Sequence, residues 1–395
     1  MTTYPELRLK PLAHKRVLNG SPWIFSNEIE LDAAAKALEP GEIVKIMGAD
    51  GHALGVAMFN RNSLIAARLF SRDPKTRVDL AFLSRILQRA LQIRDSLFDA
   101  PYYRLIHAEA DGLPGVIIDR FGDTLVAQFN TAGADRLSHL LLEALARVVT
   151  PRTVVLRNDT PARETEGLAA AFEVPVGQLK GPIEVLENGA RYFADLEGGQ
   201  KTGWFYDQRI NRRWAAKLAK GNRVLDCFSF SGGFTLQAAL AGAREVVAVD
   251  RSQVALDLAA KAAAANGVEQ LCSFIKGDAF GRMGELDKSR ERFELVIADP
   301  PAFVKSKKDL AQGLKGYRKV TRLAAALVAP EGSLFIASCS HHVDPASFAD
   351  QVKRGLGDVG RQGRILYSGG AGPDHPVHPA LPETAYLKAM LIALD

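Results

Sequence analysis

The chain has 395 residues, of which 47% are hydrophobic and 24% charged, and its formal net charge is +5. This length allows two or three domains, and the composition is that of a globular protein rather than a disordered or fibrous one. No apolar run reaches about 18 residues, so no transmembrane helix is expected. The small positive charge is compatible with a polyanionic partner but does not establish one.

The three cysteines, Cys227, Cys272 and Cys339, lie far apart in the sequence. Because there is no Cys-x-x-Cys pair, we expect neither a zinc site nor an iron–sulfur cluster. The few cysteines and the absence of an apolar signal core at the start predict a reducing, cytoplasmic setting.

Residues 1–73 are predicted to form a small β-rich unit with a turn around Gly48 and Gly51. Its strand-like runs are residues 42–47, 53–59 and 65–70. Basic residues near the start form either a local nucleic-acid patch or an ordinary solvated edge. These residues are Arg8, Lys10, Lys15 and Arg16.

Residues 74–182 are predicted to form a compact α+β unit that carries no recognisable chemistry. Its predicted helices span 77–98 and 134–148, and its predicted strands span 115–119, 124–129 and 153–157.

Residues 183–395 begin with a short hairpin, and strands and helices then alternate from about residue 209. The predicted strands are 223–226, 245–249, 273–275, 295–298 and 334–337, with helices such as 234–241 and 253–265 between them. Such alternation predicts a mostly parallel α/β sheet with helices on both faces.

A strand, a glycine-bearing turn and a helix start occupy residues 224–234, a pattern typical of a nucleoside-cofactor site. No glycine precedes Gly232 in the turn and Gly-x-Gly-x-x-Gly is absent, so the backbone is not shaped for a pyrophosphate. Asp226 would also repel one. These features favour the cationic S-adenosylmethionine over a dinucleotide, while a doubly wound domain without a cofactor remains the alternative.

Four aspartates, Asp226, Asp250, Asp278 and Asp299, end four successive predicted strands. Because buried carboxylates need partners, stability alone explains them poorly. We predict Asp250 on the ribose hydroxyls, and Asp278 on the adenine amino group with Ala279 or Phe280 against the ring.

Asp-Pro-Pro-Ala-Phe at 299–303 and Ser-Cys-Ser at 338–340 each follow an apolar, strand-like run. Since ligands of open α/β sheets bind at the carboxyl ends of strands, the Asp299 carboxylate and the Cys339 thiol could share one pocket. That pair favours chemistry on a planar nitrogenous ring. The alternative for Cys339 is a small buried residue at a strand end.

Residues 305–322 contain seven basic residues and one acidic residue. Their position directly after 299–303 favours phosphate contacts, with Tyr317 stacking on a base; the alternative is a solvated helix face. The basic residues are Lys305, Lys307, Lys308, Lys315, Arg318, Lys319 and Arg322.

The runs at 199–209, 299–303, 338–340 and 374–384 together resemble the bacterial 23S rRNA 5-methylcytosine methyltransferases, which are class I enzymes. The resemblance spans essentially the whole chain. It implies a PUA RNA-binding domain at 1–73, a small α+β domain at 74–182 and a Rossmann-like methyltransferase domain at 183–395.

The resemblance also implies site residues. Cys339 would attack carbon 6 of a flipped pyrimidine whose polar edge is held by Asp299, with Glu383 or His375 as candidate bases. Cofactor contacts would come from Lys201, Phe205, Asp207, Asp226, Phe228, Ser231, Gly232, Asp250, Asp278, Ala279 and Asp299. RNA contacts would come from Pro300, Pro301, Phe303, Lys305, Lys307, Lys308, Tyr317 and Arg318.

The expected partner is 23S rRNA, naked or within the large subunit, and a homodimer is a further expectation. Competing functions are methylation of an exocyclic amine or guanine N7 without a covalent step, methylation of uracil carbon 5, and a non-catalytic RNA-binding assembly factor.

Overall fold

The computed structural model describes residues 4–199 and 202–395, which form two compact units. Unit 1 contains the described residues of 4–181, 196–203 and 373–382. Unit 2 contains 182–195, 204–372 and 383–395. In the described part of the chain, no helix is both long and apolar enough to cross a membrane.

The first sheet of unit 1 lies within residues 6–71 and has the strand order β1-β3-β4-β5-β2. Its strands are β1 (Glu6–Arg8), β2 (Trp23–Ile24), β3 (Glu42–Met47), β4 (Ala53–Phe59) and β5 (Ala67–Ser71), and its helices are α1 (His14–Leu18) and α2 (Ala33–Ala37). Leu7, Val44 and Phe59 are fully buried in the core of this sheet. Strands β3 and β4 have the bounds that the sequence predicted.

The second sheet of unit 1 has the order β10-β9-β8-β7-β6. Its strands are β6 (Tyr102–His107), β7 (Val116–Phe121), β8 (Thr124–Phe129), β9 (Thr153–Asn158) and β10 (Ala171–Val176). The helices are α3 (Leu80–Leu97), α4 (Ala132–Arg136), α5 (Ser138–Val148) and α6 (Pro161–Thr165).

Two helices of unit 1 differ from their predicted bounds. Helix α3 begins at Leu80 rather than at residue 77, because the Asp79 side chain caps it by accepting a hydrogen bond from the Phe82 amide at 2.9 Å. The single helix predicted over 134–148 is two helices separated at Leu137. Both sheets belong to unit 1, and the boundaries predicted at 73 and 182 stay predictions.

Unit 2 begins with the predicted hairpin and continues into a seven-stranded sheet. The hairpin is β11 (Ile183–Glu187) and β12 (Ala190–Ala194). The sheet comprises β13 (Arg223–Cys227), β14 (Glu245–Asp250), β15 (Cys272–Lys276), β16 (Phe293–Ala298), β17 (Val328–Ser338), β18 (Gly363–Gly369) and β19 (Lys388–Leu394). The helices are α7 (Arg209–Ala216), α8 (Gly233–Leu240), α9 (Gln253–Ala265), α10 (Ala279–Lys288), α11 (Leu310–Leu327) and α12 (Pro345–Gly357).

The strand order of this sheet is β15-β14-β13-β16-β17-β19-β18. The first five strands are mutually parallel, whereas β19 is antiparallel to both of its neighbours. The prediction of a mostly parallel α/β sheet is therefore confirmed. From β13 the chain moves outward to β14 and β15 and then returns to place β16 on the other side of β13. This reversal is the position at which open α/β sheets bind ligands.

Candidate active site

The predicted acidic and thiol residues lie at or just after the ends of five neighbouring strands of the unit 2 sheet. Asp250 ends β14, Asp299 directly follows β16, and Cys339 directly follows β17. Asp278 comes two residues after β15, and Asp226 is the penultimate residue of β13. Because these strands are parallel and adjacent, the structure brings all five residues to the carboxyl edge of the sheet.

Asp226 lies one residue before the end of β13, where the sequence predicted a strand end, and it is fully buried. Its Oδ2 accepts a hydrogen bond from the Thr235 hydroxyl at 2.6 Å, while its buried Oδ1 has no hydrogen-bond partner. Burial, reinforced by the charges of Asp299 and Asp250, raises the pKa of Asp226 to about 7. Such a carboxyl has an unused acceptor that a cationic donor would satisfy.

The turn between β13 and α8 is held in an uncommon backbone conformation. Phe228, Phe230 and Gly232 have φ values of 65°, 48° and 81°. A Cβ on Gly232 would lie 2.8 Å from the Ala259 Cβ, so glycine is required for packing as well as for φ. Backbone strain of this kind is concentrated at ligand-binding and catalytic sites.

Two buried hydroxyls of this turn, those of Ser229 and Ser231, have no hydrogen-bond partner. Asp250 holds the turn in place, with its Oδ2 accepting from the Phe230 amide at 2.8 Å and its Oδ1 from the Ser252 amide at 2.9 Å. A carboxylate has about four acceptor positions, so Asp250 can still accept from ligand hydroxyls.

The segment after β15 and the segment before α7 complete this half of the site. Asp278 is exposed and caps α10 by accepting from the Gly281 amide at 3.0 Å; Ala279 packs in the core, and Phe280 is half-buried. The Phe205 ring packs edge-on against Phe230 with centroids 5.2 Å apart. Lys201 lies outside the described residues.

The structure adds residues behind the turn that the sequence analysis missed. The Arg212 guanidinium pairs with Glu187 at 2.7 Å and lies over the Trp204 ring at 4.4 Å. A Cβ on Gly233 would approach the Arg212 Nε to 2.4 Å, so this side chain packs directly against the start of α8. The sequence signal that could have indicated Arg212 was a charged residue on the buried face of a helix. Asp207, which the sequence analysis did name, is also buried and accepts a hydrogen bond from the Tyr386 hydroxyl at 2.6 Å.

Ser340 connects the segment after β16 to the segment after β17. Its hydroxyl oxygen accepts from the Val304 amide at 3.1 Å and is hydrogen-bonded to the Tyr317 hydroxyl at 2.8 Å. The 299–303 segment is therefore tied to the segment that carries Cys339, which is half-buried. Pro300 is buried and Pro301 is exposed, so only the second proline is presented to solvent.

The prediction that Tyr317 stacks on an RNA base is wrong. Its side chain is fully buried, with the Phe303 ring centroid at 4.8 Å and the Phe348 centroid at 5.4 Å. Burial raises the pKa of Tyr317. A ring packed between protein side chains cannot stack on an RNA base, and Tyr317 instead orders the loop through Ser340.

The basic run surrounds a short turn, Lys307–Asp309, and continues along α11. Lys305, Lys307 and Lys308 are exposed. Arg318 is also exposed, but it forms a bidentate pair with Asp358 at 2.7 and 2.6 Å, which offsets its charge.

Lys388, at the start of β19, is buried beside the thiol segment and was also missed by the sequence analysis. Its Nζ donates to the Ser340 carbonyl at 2.6 Å and to the Tyr386 carbonyl at 2.7 Å. Burial lowers the pKa of Lys388 to about 8, while Cys339 and Asp344 act in the opposite direction. The sequence signal that could have indicated this residue was a single lysine within the apolar run 387–394.

The two remaining cysteines differ from each other in burial. Burial raises the pKa of Cys227, which is fully buried, and raises that of the half-buried Cys272 to about 11.

Of the two candidate bases, His375, in unit 1, is buried with its Nδ1 3.0 Å from Asp374 Oδ1. Glu383, in unit 2, is exposed. The assignment of the base stays a hypothesis.

A parallel sheet with a strained, glycine-bearing turn at its topological switch point defines a class of nucleoside-cofactor-binding α/β proteins. A family model for S-adenosylmethionine-dependent methyltransferases matches residues 169–392, and a PUA-like domain model matches residues 7–72. The chain belongs to the S-adenosylmethionine-dependent methyltransferase family.

Relatives that match nearly the full length carry a more specific name. Proteins named ribosomal RNA large subunit methyltransferase I from Aeromonas salmonicida and Aeromonas hydrophila are 37% and 38% identical to this chain. Each match covers 96% of this chain and 96% of the relative.

Solved structures share the fold. A candidate S-adenosylmethionine-dependent methyltransferase from Streptococcus mutans aligns with a TM-score of 0.82 at 21% identity, covering 98% of this chain and 100% of that one. A second candidate methyltransferase, solved in complex with SAH, aligns with a TM-score of 0.84 at the same identity and coverage.

Proposed function

We propose that this protein methylates carbon 5 of a cytosine in large-subunit ribosomal RNA through a covalent adduct with Cys339. The observation that carries this proposal is the placement of Asp299 and Cys339 after the adjacent strands β16 and β17, next to the turn that follows β13. The name of the full-length relatives supports ribosomal RNA as the substrate.

The cofactor half of the site fits S-adenosylmethionine. Asp226 Oδ1 and the hydroxyls of Ser229 and Ser231 are buried polar atoms that a bound ligand would satisfy. Asp250 would accept from the ribose hydroxyls, and Asp278 from the adenine amino group. Bound here, S-adenosylmethionine would supply an electrophilic methyl group with a neutral thioether as its leaving group. The remaining proposed cofactor contacts are Lys201, Phe205, Asp207, Phe228, Gly232, Ala279 and Asp299.

The chain's own residues would supply the activation of the base. The Cys339 thiolate forms a bond to carbon 6, and the electron pair of the carbon 5–carbon 6 double bond moves onto the ring. Asp299, in its carboxylic acid form, would hold the polar edge of the ring, pass a proton to the ring nitrogen as the electron pair arrives, and take that proton back when the sulfur leaves. After carbon 5 gains its methyl group, a base removes the carbon 5 proton. The double bond re-forms as the sulfur leaves, so the thiolate is regenerated.

The RNA would reach this edge from the side of the basic run. Pro301 and Phe303 border the base site, and Lys305, Lys307 and Lys308 would bind phosphates. A paired target base must leave its stack before Cys339 can reach it. The PUA-like segment at 7–72 is proposed as a second RNA-binding region.

The deciding experiment compares Cys339→Ala with the matched control Cys272→Ala, which removes a half-buried thiol on β15. We expect Cys339→Ala to lose methyl transfer to ribosomal RNA by at least about 1,000-fold, since carbon 5 is not activated without the adduct. Cys272→Ala should retain near wild-type activity. Full activity in Cys339→Ala would refute the covalent mechanism and favour an exocyclic amine or guanine N7 as the acceptor.

Two further measurements separate the remaining alternatives. Mass spectrometry of nucleosides from the methylated RNA identifies the product, and 5-methyluridine in place of 5-methylcytidine would change the assigned base while leaving the covalent chemistry intact. Calorimetry with S-adenosylmethionine tests the non-catalytic alternative, for which no binding is expected.

A further inference from the structure

We propose that Lys388 is a positioning residue whose ammonium group holds the Cys339 segment in place and stabilises the thiolate form of Cys339. This inference rests on the proposed function, because it takes Cys339 to be the nucleophile. It assigns a role to a residue of β19, which carries none of the family motifs recognised in the sequence.

The geometry of two paired strands places Lys388 beside the thiol. Strands β17 and β19 are antiparallel, and Lys388 stands directly opposite Ser338, the residue before Cys339. Its Nζ donates to the carbonyl of Ser340, the residue after Cys339, at 2.6 Å. The lysine therefore pairs with the residues on both sides of the thiol. A backbone held at these two points orients the side chain between them.

The ammonium group retains one N–H bond for another acceptor. An ammonium has three donors, and two of them are directed to the carbonyls of Ser340 and Tyr386. Since Lys388 is only 6% exposed, the field of its charge is little screened by water. A thiolate formed beside it is stabilised, and the proton released by the thiol passes to solvent.

The segments that border this region carry other charged and titratable groups. They are Asp299 after β16, Tyr317 of α11, His341 and His342 after Cys339, Asp344 at the start of α12, and Tyr386 before β19. The carboxylates among them disfavour a second negative charge. Lys388 supplies positive charge that counters them, which explains why Cys339 and Asp344 both favour its protonated form.

A purely structural role accounts poorly for a lysine at this position. The residues around it in β19 are apolar, and a methionine would fill the same space without the cost of burying a charge. Burial lowers the pKa of Lys388 to about 8, so the group is still mainly protonated at neutral pH.

The test is the pH dependence of Cys339 alkylation by iodoacetamide, measured on the full chain in a Cys272→Ala background without RNA or cofactor. We expect Lys388→Met to raise the pH midpoint of alkylation by about one unit or more and to slow the reaction at pH 7 about tenfold. Lys388→Arg, which keeps the charge, should stay within about half a unit of the parent. Lys353→Met, an exposed control on α12, should leave both the midpoint and methyl transfer unchanged.

A lowered melting temperature of Lys388→Met with an unshifted midpoint would overturn the proposal, since a structural role alone predicts that result. If Lys388→Met does not fold, Lys388→Gln against Lys388→Arg gives the same comparison, and equal midpoints again overturn it. The thiol titration needs no methyl transfer. A shifted midpoint together with full activity of Cys339→Ala would therefore refute the proposed function and leave the lysine–thiol coupling intact.

Discussion

Two buried polar regions of this protein, one in each unit, differ in how completely their groups are paired. In unit 1, an arginine–aspartate cluster pairs Arg94 with Asp111 at 2.6 and 2.7 Å, and Arg104 with Asp119 at 2.8 and 2.9 Å. The backbone also donates to this cluster, from the His107 amide to Asp111 at 2.7 Å. Each of these carboxylates accepts on both oxygens.

In unit 2, the buried polar groups at the end of β13 and in the turn after it are incompletely paired. Asp226 accepts a hydrogen bond on one oxygen only, and the hydroxyls of Ser229 and Ser231 have no partner. Since an unsatisfied buried polar group destabilises the folded state, paired and unpaired groups should respond differently to mutation. Removing a paired group should reduce stability, whereas removing an unpaired one should reduce cofactor affinity.

The largest effect is expected at the arginine–aspartate cluster. Arg94→Met leaves Asp111 buried without its counter-charge and should lower the free energy of unfolding by about 3–5 kcal/mol. Arg89→Met, an exposed change on the same helix, should have little effect. Chemical denaturation measures the difference. Equal stabilities of the two variants would contradict a stabilising role for the cluster, and calorimetry at low temperature should show unchanged affinity for S-adenosylmethionine.

Asp226→Asn should have opposite effects on stability and binding. Because the pKa is raised from 3.8 to about 7, the folded protein retains a proton that the unfolded chain has lost between these values, and stability falls as pH rises through this range. The variant does not titrate, so its gain in stability over wild type should be small at pH 4 and reach a few kcal/mol at pH 8.

The same variant should bind S-adenosylmethionine roughly 10- to 100-fold more weakly at pH 8, because a charged hydrogen bond is lost. Wild-type affinity should fall as the pH drops below about 7, where Asp226 is protonated in the free protein. Calorimetry across this range tests both points, with the exposed Asp257→Asn as control. Wild-type affinity that does not vary with pH would rule out a charged contact from Asp226.

The smallest effect is expected for Ser231→Ala, which removes an unpaired hydroxyl. Its stability should change by less than about 0.5 kcal/mol, while the affinity for S-adenosylmethionine should fall about 3- to 10-fold. Ser340→Ala removes a hydroxyl with two partners and should lose about 1–3 kcal/mol of stability with little change in affinity. A loss of stability in Ser231→Ala together with a loss of affinity in Ser340→Ala would contradict the distinction between paired and unpaired groups.

Local sequence signals were sufficient to predict much of the fold. Strands β4 and β8 and helix α9 have their predicted bounds, because turn residues or a capping serine delimit them in the sequence. The break at Leu137 was missed because the apolar periodicity continues through it. The alternation of strands and helices predicted which edge of the sheet bears the aspartates and the thiol.

Side-chain burial was harder to predict than strand position. Tyr317 stands among basic residues in the sequence, but in α11 it shares a buried face with Gly313, Val320 and Thr321. That helical spacing could have indicated a core position. The role of Lys388 depends on β19 pairing with β17, a contact between residues 50 positions apart that no local pattern specifies.

The position of β19 also has a consequence for biosynthesis. This strand follows β18 in the chain but lies between β17 and β18 in the sheet. During translation, β18 has no sheet neighbour to pair with until residues 388–394 have left the ribosome, so the sheet of the nascent chain must remain open on that side. Lys388 arrives with the same strand, so its hydrogen bond to the Ser340 carbonyl, next to Cys339, forms only in the step that closes the sheet.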